Sequence, residues 1–407
     1  GATDGIRLYQ TVEVLRPILR NVTIENNAIN AIHTSHVRAQ PVYDNVVLRN
    51  NGADGVALGW GNNDTLNTHL TFDSKGINGA PFIFNGLSIS AGSVVTVTPG
   101  TEMQFVKKTG PWIYDGGRLY AHGTPTQPIT FTAYTAPDAT PTPGDWDGIV
   151  VWREGGSLDL AYCDVSYGGR SAANIYSVGR DVRVNHCRIH HSSLEGVRTT
   201  NNQIHPLTFN TITDNAGCGV INMPSQHQQQ VIFRNNVIAN NGNGIVANAG
   251  CGILNQYIVG VDARRNWWGD PSGPQHPTLN PNGKGGTVSD LVLFDPWLNS
   301  VPGSVVFEPS QGGNVGTTTV RFWGVPADSA WQIVLRRAGQ ADIPGVFQVP
   351  ALDDSVDYTF SLAGAAPTTG QFVASGPDAQ PIPGAFTIIP APSDARLQAS
   401  ERISVTV

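Results

Sequence analysis

Charge is scarce in this sequence: only 14% of its 407 residues are Asp, Glu, Lys or Arg. So few ionic side chains leave little material for solvent-facing helices laced with ion pairs. Basic residues are the rarer kind, 24 against 31 acidic ones, for a formal charge of −7. That balance argues against nucleic acid and against an anionic membrane surface as partners. No apolar run approaches the ~18 residues of a membrane-spanning helix. The four cysteines, Cys163, Cys187, Cys218 and Cys251, form no C-x-x-C pair, which argues against zinc. Gly283 to Gly286, with Lys284, follows no strand pattern and opens no helix, so it is no phosphate loop. No secretory leader is visible and the chain begins with Gly1 rather than Met, so a mature or processed product is expected.

Turn chemistry is abundant instead, with 46 Gly and 28 Pro. Three lines of sequence repeat one another: His186-Cys187-Arg188-Ile189-His190-His191-Ser192, Asn210-Thr211-Ile212-Thr213-Asp214-Asn215 and Asn236-Val237-Ile238-Ala239-Asn240-Asn241. Each then reaches a Gly-aliphatic pair, Gly196-Val197, Gly219-Val220 and Gly244-Ile245. The central aliphatic residues lie 23 and 26 positions apart. A period near 24 suits one coil of a parallel β-helix. A short strand alternates side chains in and out. Asn then turns the chain, because it tolerates left-handed backbone angles and bonds nearby backbone. A leucine-rich repeat has a similar period, but its Leu pattern is missing.

The same pattern opens the chain. Asp4-Gly5-Ile6 reads as the tail of a coil, and Ile24 and Leu48 centre two full coils 24 residues apart. Residues 66–150 keep alternating β-branched residues punctuated by Gly and Pro, which marks further strands. A Pro- and Thr-rich stretch, Thr135 to Gly144, is a surface loop. Residues 151–300 return to Asn-rich coils.

Several runs within these coils resemble a known kind of sequence. They are Ser90-Ala91-Gly92 with Val97-Thr98-Pro99-Gly100-Thr101, then Pro128-Ile129-Thr130-Phe131-Thr132, then Gly144-Asp145-Trp146-Asp147-Gly148-Ile149. Asn266-Trp267-Trp268-Gly269-Asp270-Pro271 and Phe294-Asp295-Pro296-Trp297 resemble a closing coil. Together they look like the right-handed parallel β-helix domains of bacterial and archaeal surface proteins, which share the pectate-lyase-like fold. The resemblance implies a right-handed solenoid and an extracellular or cell-surface setting. It does not choose a function, since that fold hosts lyases, hydrolases, adhesins and inert stalks.

From Val301 the Asn-rich turns stop, and short strands separated by turn signals run to the end. Their spacing suits a small Ig-like β-sandwich. The expected architecture is therefore all-β, with a parallel β-helix over 1–300 (first coils 1–65, central strands 66–150, Asn-rich coils 151–300) and a β-sandwich over 301–407.

Stacking the coils on Val165, Ile189, Ile212 and Ile238 makes a column of Tyr167, His191, Asp214 and Asn240, with Asp164, Arg188 and Thr211 in another. Neighbouring coils are ~4.8 Å apart. Tyr167, His191 and Asp214, with Arg188 and Asp164 alongside, thus form a candidate acid/base cluster for a polysaccharide. The alternative is a ladder of turn residues, since Asn26, Asn50 and Asn240 hold equivalent places. Polygalacturonase-type hydrolases carry Asn-Thr-Asp and Gly-His-Gly; here Asn210-Thr211-Ile212 departs from the first and the second is missing. Calcium, which pectate lyases use, has too few carboxylates here to be assigned, and no cofactor is expected.

Cys163 and Cys187 hold the place of Asn210 and Asn236. They read as a disulfide or, better, as a buried thiol ladder, because in-register parallel neighbours rarely suit a disulfide dihedral. Cys218 and Cys251 lie in similar segments and are a second possible pair. Trp267 and Trp268 are read as a clamp on the end of the solenoid, and Asp145 and Asp147 as turn residues.

The leading functional expectation is an extracellular structural or adhesive surface protein. A polysaccharide lyase or glycoside hydrolase is the alternative, and a glycan-binding module without catalysis the third. The partner is either a surface polysaccharide or a second copy of the chain. Head-to-tail pairing would use the β-prone residues Ile6, Leu8, Val12 and Val14 at one end and Ile403, Val405 and Val407 at the other.

Overall fold

The computed structural model describes residues 3–9, 16–59, 65–66, 68–137, 139–179, 181–199, 205–223, 231–242, 251–255, 260–299, 301, 306–308, 311–323, 332–348, 355–375, 382 and 385–390. Among them there is no α-helix, only two 3-10 turns, Val37–Ala39 and Lys75–Ile77. The chain divides into two compact units, Gly1–Pro302 and Gly303–Val407.

The first unit is a parallel β-solenoid of about nine turns. Its strands stack into three long sheets of ten, nine and ten strands, here called sheets one, two and three. One central coil shows the path: Asp181–Asn185 lies in sheet two, Arg188–His190 in sheet one and Glu195–Thr199 in sheet three. The coils stack in register, Val165 beside Ile189, Ile189 beside Ile212 and Ile212 beside Ile238. All four are 0% exposed, because alternate residues of each short strand point into one continuous core. Aromatic rings fill part of that core. Phe84, Phe105 and Trp146 stack at 5.2 and 5.0 Å between centroids. Trp146 satisfies its buried indole by donating to the Ser166 carbonyl at 2.7 Å.

Two corners border sheet one. The corner before it carries a ladder of Cys163, Cys187, Asn210, Asn236 and Asn266. Asn210 Oδ1 accepts the Cys187 N–H at 3.0 Å, Asn236 Oδ1 the Asn210 N–H at 2.8 Å, and Asn266 Oδ1 the Asn236 N–H at 2.8 Å. Each Asn side chain thereby occupies a backbone donor that would be orphaned at the turn. The corner after sheet one repeats the device: Asn215 accepts from Ser192 N–H at 3.0 Å, and Asn241 from Asn215 N–H at 3.2 Å.

The N-terminal coils differ from their sequence alignment. Ile24 and Leu48 lie on Ile18–Glu25 and Val42–Arg49, a two-stranded sheet that precedes sheet one. The strands after their Asn turns, Asn30–Thr34 and Ala53–Leu58, join sheet one itself. Asn27 and Asn51 therefore occupy the corner of Asn210, not that of Asn215. A local pattern of aliphatic, Asn and Gly fixes a turn but carries no label for which of three corners it makes.

The second unit is one continuous eight-stranded sheet, ordered Val306–Glu308, Thr317–Trp323, Ser355–Ser361, Ile343–Phe347, Gln332–Arg336, Thr368–Ser375, Phe386–Ile389 and Gln311–Gly313. Neighbours are antiparallel except the last pair. The unit is a small all-β domain, and the two separate sheets of the expected Ig-like sandwich are not confirmed by this strand order. Gln311–Gly313 was not anticipated; it pairs parallel with Phe386–Ile389 at one end of the sheet, while Thr317–Trp323, three residues on, lies near the other end. The sheet must therefore curl. Its inner face buries one core that includes Phe322, Leu335, Tyr358, Phe360, Phe372 and Phe386.

Candidate functional site

The candidate residues sit on the outward face of sheet one and on the corner after it. Asp164, Arg188 and Thr211 are in register on successive strands, and so are Ser166, His190 and Thr213. Asp164 and His190 make the central contact. His190 Nε2 lies 3.0 Å from Asp164 Oδ1 and His190 Nδ1 lies 2.6 Å from His191 Nδ1. With both rings neutral, one proton assignment satisfies these contacts. His190 Nε2–H donates to Asp164, His191 Nδ1–H donates to His190 Nδ1, and His191 Nε2 keeps a lone pair. Burial, and then the neighbouring His190, hold the His191 pKa below the ordinary histidine value, with Asp214 pulling the other way. Arg188 stands 3.6 Å from Asp164, and the Tyr167 ring lies 5.2 Å from that of His191.

The structure thus gathers Asp164, Arg188, Tyr167 and His191 around His190. Asp214 sits on the next coil with an exposed side chain, and its backbone carbonyl accepts from His191 N–H at 3.2 Å. Glu195 and Arg198, 3.0 Å apart, belong to sheet three, and Arg170 pairs with Asp147. Ile6 and Leu8 lie on the strand Asp4–Leu8, which pairs with Asn30–Thr34. Val12, Val14, Ile403, Val405 and Val407 are outside the described residues.

His190 was not selected from the sequence. The signal was present, because the residue after each inward aliphatic faces outward. A second feature was missed altogether. At the corner before sheet one, Tyr162, His186 and Phe209 form a column of half-buried rings, with centroids 4.7 and 5.1 Å apart and planes within 24° and 9°. All three adopt left-handed backbone angles, φ 51°, 53° and 58°, as do Tyr167 and His191 across the sheet, φ 62° and 54°. Such angles cost a non-Gly, non-Asn residue about 1–2 kcal/mol. Two strained aromatic rails therefore flank a polar floor of Asp164, Arg188, His190, Thr211 and Thr213.

Cys163 and Cys187 are free, buried thiols, not a disulfide. Their sulfurs donate to the Ala121 and Asn185 carbonyls, each at 3.2 Å, so both are committed to the corner ladder. Burial foremost pushes the Cys163 thiol pKa up, which argues against a nucleophile. Cys218 is disulfide-bonded, while the Cys251 side chain lies outside the described residues. Asp145 accepts from Thr142 N–H at 2.8 Å within its turn. Trp268 is buried in the solenoid core, and Trp267 bridges to Val237. Among the described residues no three His, Cys, Asp or Glu side chains are grouped as metal ligands.

Residues 142–263, which carry this face, match the family described as the right handed beta helix region. The solenoid is a right-handed β-helix. Neither a curated protein nor a solved structure matches the chain. No helix of the described residues is long and apolar enough to cross a membrane. The β-helix fold is compatible with surface and glycan-acting proteins alike.

Proposed function

We propose that the chain is an extracellular adhesive protein whose β-helix holds a polysaccharide along the outward face of sheet one. The observation that carries this reading is the set of five bulky residues, Tyr162, Tyr167, His186, His191 and Phe209, held in left-handed conformations at the two corners of one face. Asn would make the same turns without the strain, as Asn26 and Asn50 do, and costly backbone conformations concentrate at functional sites. The rails present ring edges to the hydrophobic side of a pyranose. The floor presents the carboxylate, guanidinium and hydroxyl groups that hydroxyls pair with. A polymer laid along the axis meets one coil of this face every ~4.8 Å.

Affinity electrophoresis of the intact chain through gels containing single acidic or neutral polysaccharides tests the reading. Retardation by at least one polymer, reduced about tenfold in apparent affinity by Arg188→Ala and by Tyr162→Ala, is the expected result. Retardation that neither substitution changes sinks it.

A second reading, turnover of the same polysaccharide by a lyase or hydrolase, is favoured by one observation. The Asp164–His190–His191 chain leaves His191 Nε2 as an oriented base. Reducing-end and unsaturated-product assays on the same polymers separate the two. Product formation abolished in both His191→Ala and Asp164→Asn replaces holding by catalysis.

A further inference from the structure

Sheet three carries a second aromatic cluster that shares no residue with the face of sheet one. Trp112 lies on Pro111–Ile113, Val150 on Ile149–Val151 and Tyr176 on Ala173–Ser177, three successive strands. They are in register, Trp112 beside Val150 and Val150 beside Tyr176. Ile113, Val151 and Ile175 face the core, so these three face outward. Val150 is nevertheless 0% exposed. Rings cover it: Trp152, just past the strand, has its centroid 5.4 Å from that of Trp112 and 6.2 Å from that of Tyr176. Trp152 itself remains 38% exposed.

The geometry of these rings differs from the corner column. Tyr162, His186 and Phe209 lie nearly parallel and spend their faces on one another. Trp112 and Trp152 meet at 54°, and Trp152 and Tyr176 at 71°, so adjoining rings do not cover one another's faces. The outward row is polar at both ends, running from Ser88 beside Trp112 to Arg198 beside Tyr176. Arg198 is held 3.0 Å from Glu195 with 28% of its side chain exposed, a donor fixed in place beside the rings.

We propose that Trp112, Trp152 and Tyr176 form a separate platform for one or two pyranose rings, with Arg198 serving their hydroxyls. Size selects this occupant. Three strands span about 10 Å along the axis, so the patch covers on the order of 100 Å², far less than the ~800 Å² per partner of a standard protein interface. Tilted aromatic faces bordered by hydrogen-bonding groups suit a ring that is apolar on its faces and hydroxylated at its rim. A β-helix with such a platform beside a glycan-holding face has two contacts on different sides and can bridge two strands of polysaccharide. The platform stands on its own geometry, whether or not sheet one holds glycan.

Titration of the intact chain with xylohexaose, cellohexaose, mannohexaose and a galacturonate hexamer, followed by tryptophan emission, tests it. At least one hexaose is expected to shift the emission. Trp152→Ala and Tyr176→Ala should each weaken that response about tenfold, while Trp152→Phe retains binding measured by calorimetry. Melting temperatures within a few degrees of the parent exclude unfolding as the cause. Absence of any response to all four sugars overturns the platform, as does a response that Trp152→Ala leaves unchanged. Concentration-dependent self-association abolished by Trp152→Ala would replace the sugar by a second copy of the chain. Retardation by long polymers in gels that depends only on Arg188 and Tyr162 would leave the sheet-one reading intact while removing this one.

Discussion

The N-terminal and central coils of the β-helix make the same turn from the same atoms, and use it differently. Asn27 N–H donates to Asn51 Oδ1 at 3.1 Å, and Asn51 Nδ2 returns to the Ile24 carbonyl at 2.9 Å. Asn215 and Asn241 repeat this with 3.2 Å and with 2.9 Å to the Ile212 carbonyl. The glycine of the preceding coil is in an equivalent place: a Cβ on Gly5 would strike Ile24 and Asn27, and one on Gly196 would strike Ile212 and Asn215. Yet the left-handed residue before the ladder is Asn26 or Asn50 at one end, while in the middle Tyr162, Tyr167, His186, His191 and Phe209 take that place on some coils and Asp214, Asn235 and Asn240 on others. The ladder stabilises the turn whatever side chain stands at the strained position. The central coils are thus free to place rings and imidazoles where the N-terminal coils place turn formers.

That contrast can be broken experimentally. The largest effect is expected from Ile212→Asp, which puts an unpaired charge into a core site that is 0% exposed. A loss of about 4 kcal/mol or more in urea unfolding should follow. Leu48→Asp, at a half-buried site of the N-terminal coils, should cost less than half of that. Equal losses would remove the distinction in packing. Asn210→Ala removes an acceptor from Cys187 N–H and a donor to the Val184 carbonyl, both buried, and should cost about 2 kcal/mol. Asn51→Ala, whose residue is 8% exposed, should cost about 1 kcal/mol on the same assay.

Acid should act on the late coils. Asp262, its side chain 1% exposed, is paired with Arg234 and Arg264. Burial pushes its carboxyl up, but hydrogen bonds from the two arginines outweigh this and hold it at about 2, against an ordinary 3.8. A depressed folded-state pKa stabilises the fold above the unfolded value and ceases to do so as pH falls through about 2. About 2 kcal/mol should disappear over that window. Asp262→Asn should flatten this part of the stability profile, and an unchanged acid limb counts against the pairing.

Smaller effects sharpen the comparison. Cys187→Asn should extend the ladder with a better acceptor for Cys163 N–H, which now lies 3.4 Å from sulfur, and stabilise by about 1 kcal/mol. A loss instead would show that the thiol pair fits that corner better than an amide. Tyr167→Asn should change stability least, with a gain of up to about 1 kcal/mol as left-handed strain is relieved. It should also weaken polysaccharide retention. A stabilised variant with full retention would make the rail a passive turn.

The solenoid was legible in the sequence because its period is carried by residues with strong backbone preferences. Ile189, Ile212 and Ile238 announce the inward column, and Asn215 and Asn241 the turn. The corner to which each turn belongs was not legible, since sheet membership depends on every intervening coil, including the Asn-poor coils of 66–150. At the candidate site, Asp164, Arg188, Tyr167 and His191 were found by stacking. His190 was passed over because a column of Ser166, His190 and Thr213 looks like an ordinary polar edge. The rail of Tyr162, His186 and Phe209 was not legible because it breaks the Asn rule that marks the other turns. In the second unit, strands were legible but their closure into one sheet was not. It turns on Gln311–Gly313, a Gly-rich segment with weak strand propensity.

The direction of the amide ladders has a mechanical consequence. In each step the later coil supplies both atoms: Asn236 Oδ1 accepts from Asn210 N–H, and Asn236 Nδ2 donates to the Leu207 carbonyl of the coil before. Asn266 does the same to Asn236 N–H and to the Phe233 carbonyl. Each coil in these ladders is therefore fastened by its successor. Under tension applied from the later coils, the load falls first on one such fastening and the strands beside it, while earlier ones stay closed. Extension should proceed in discrete steps of one coil, 23 to 30 residues of chain released at a time.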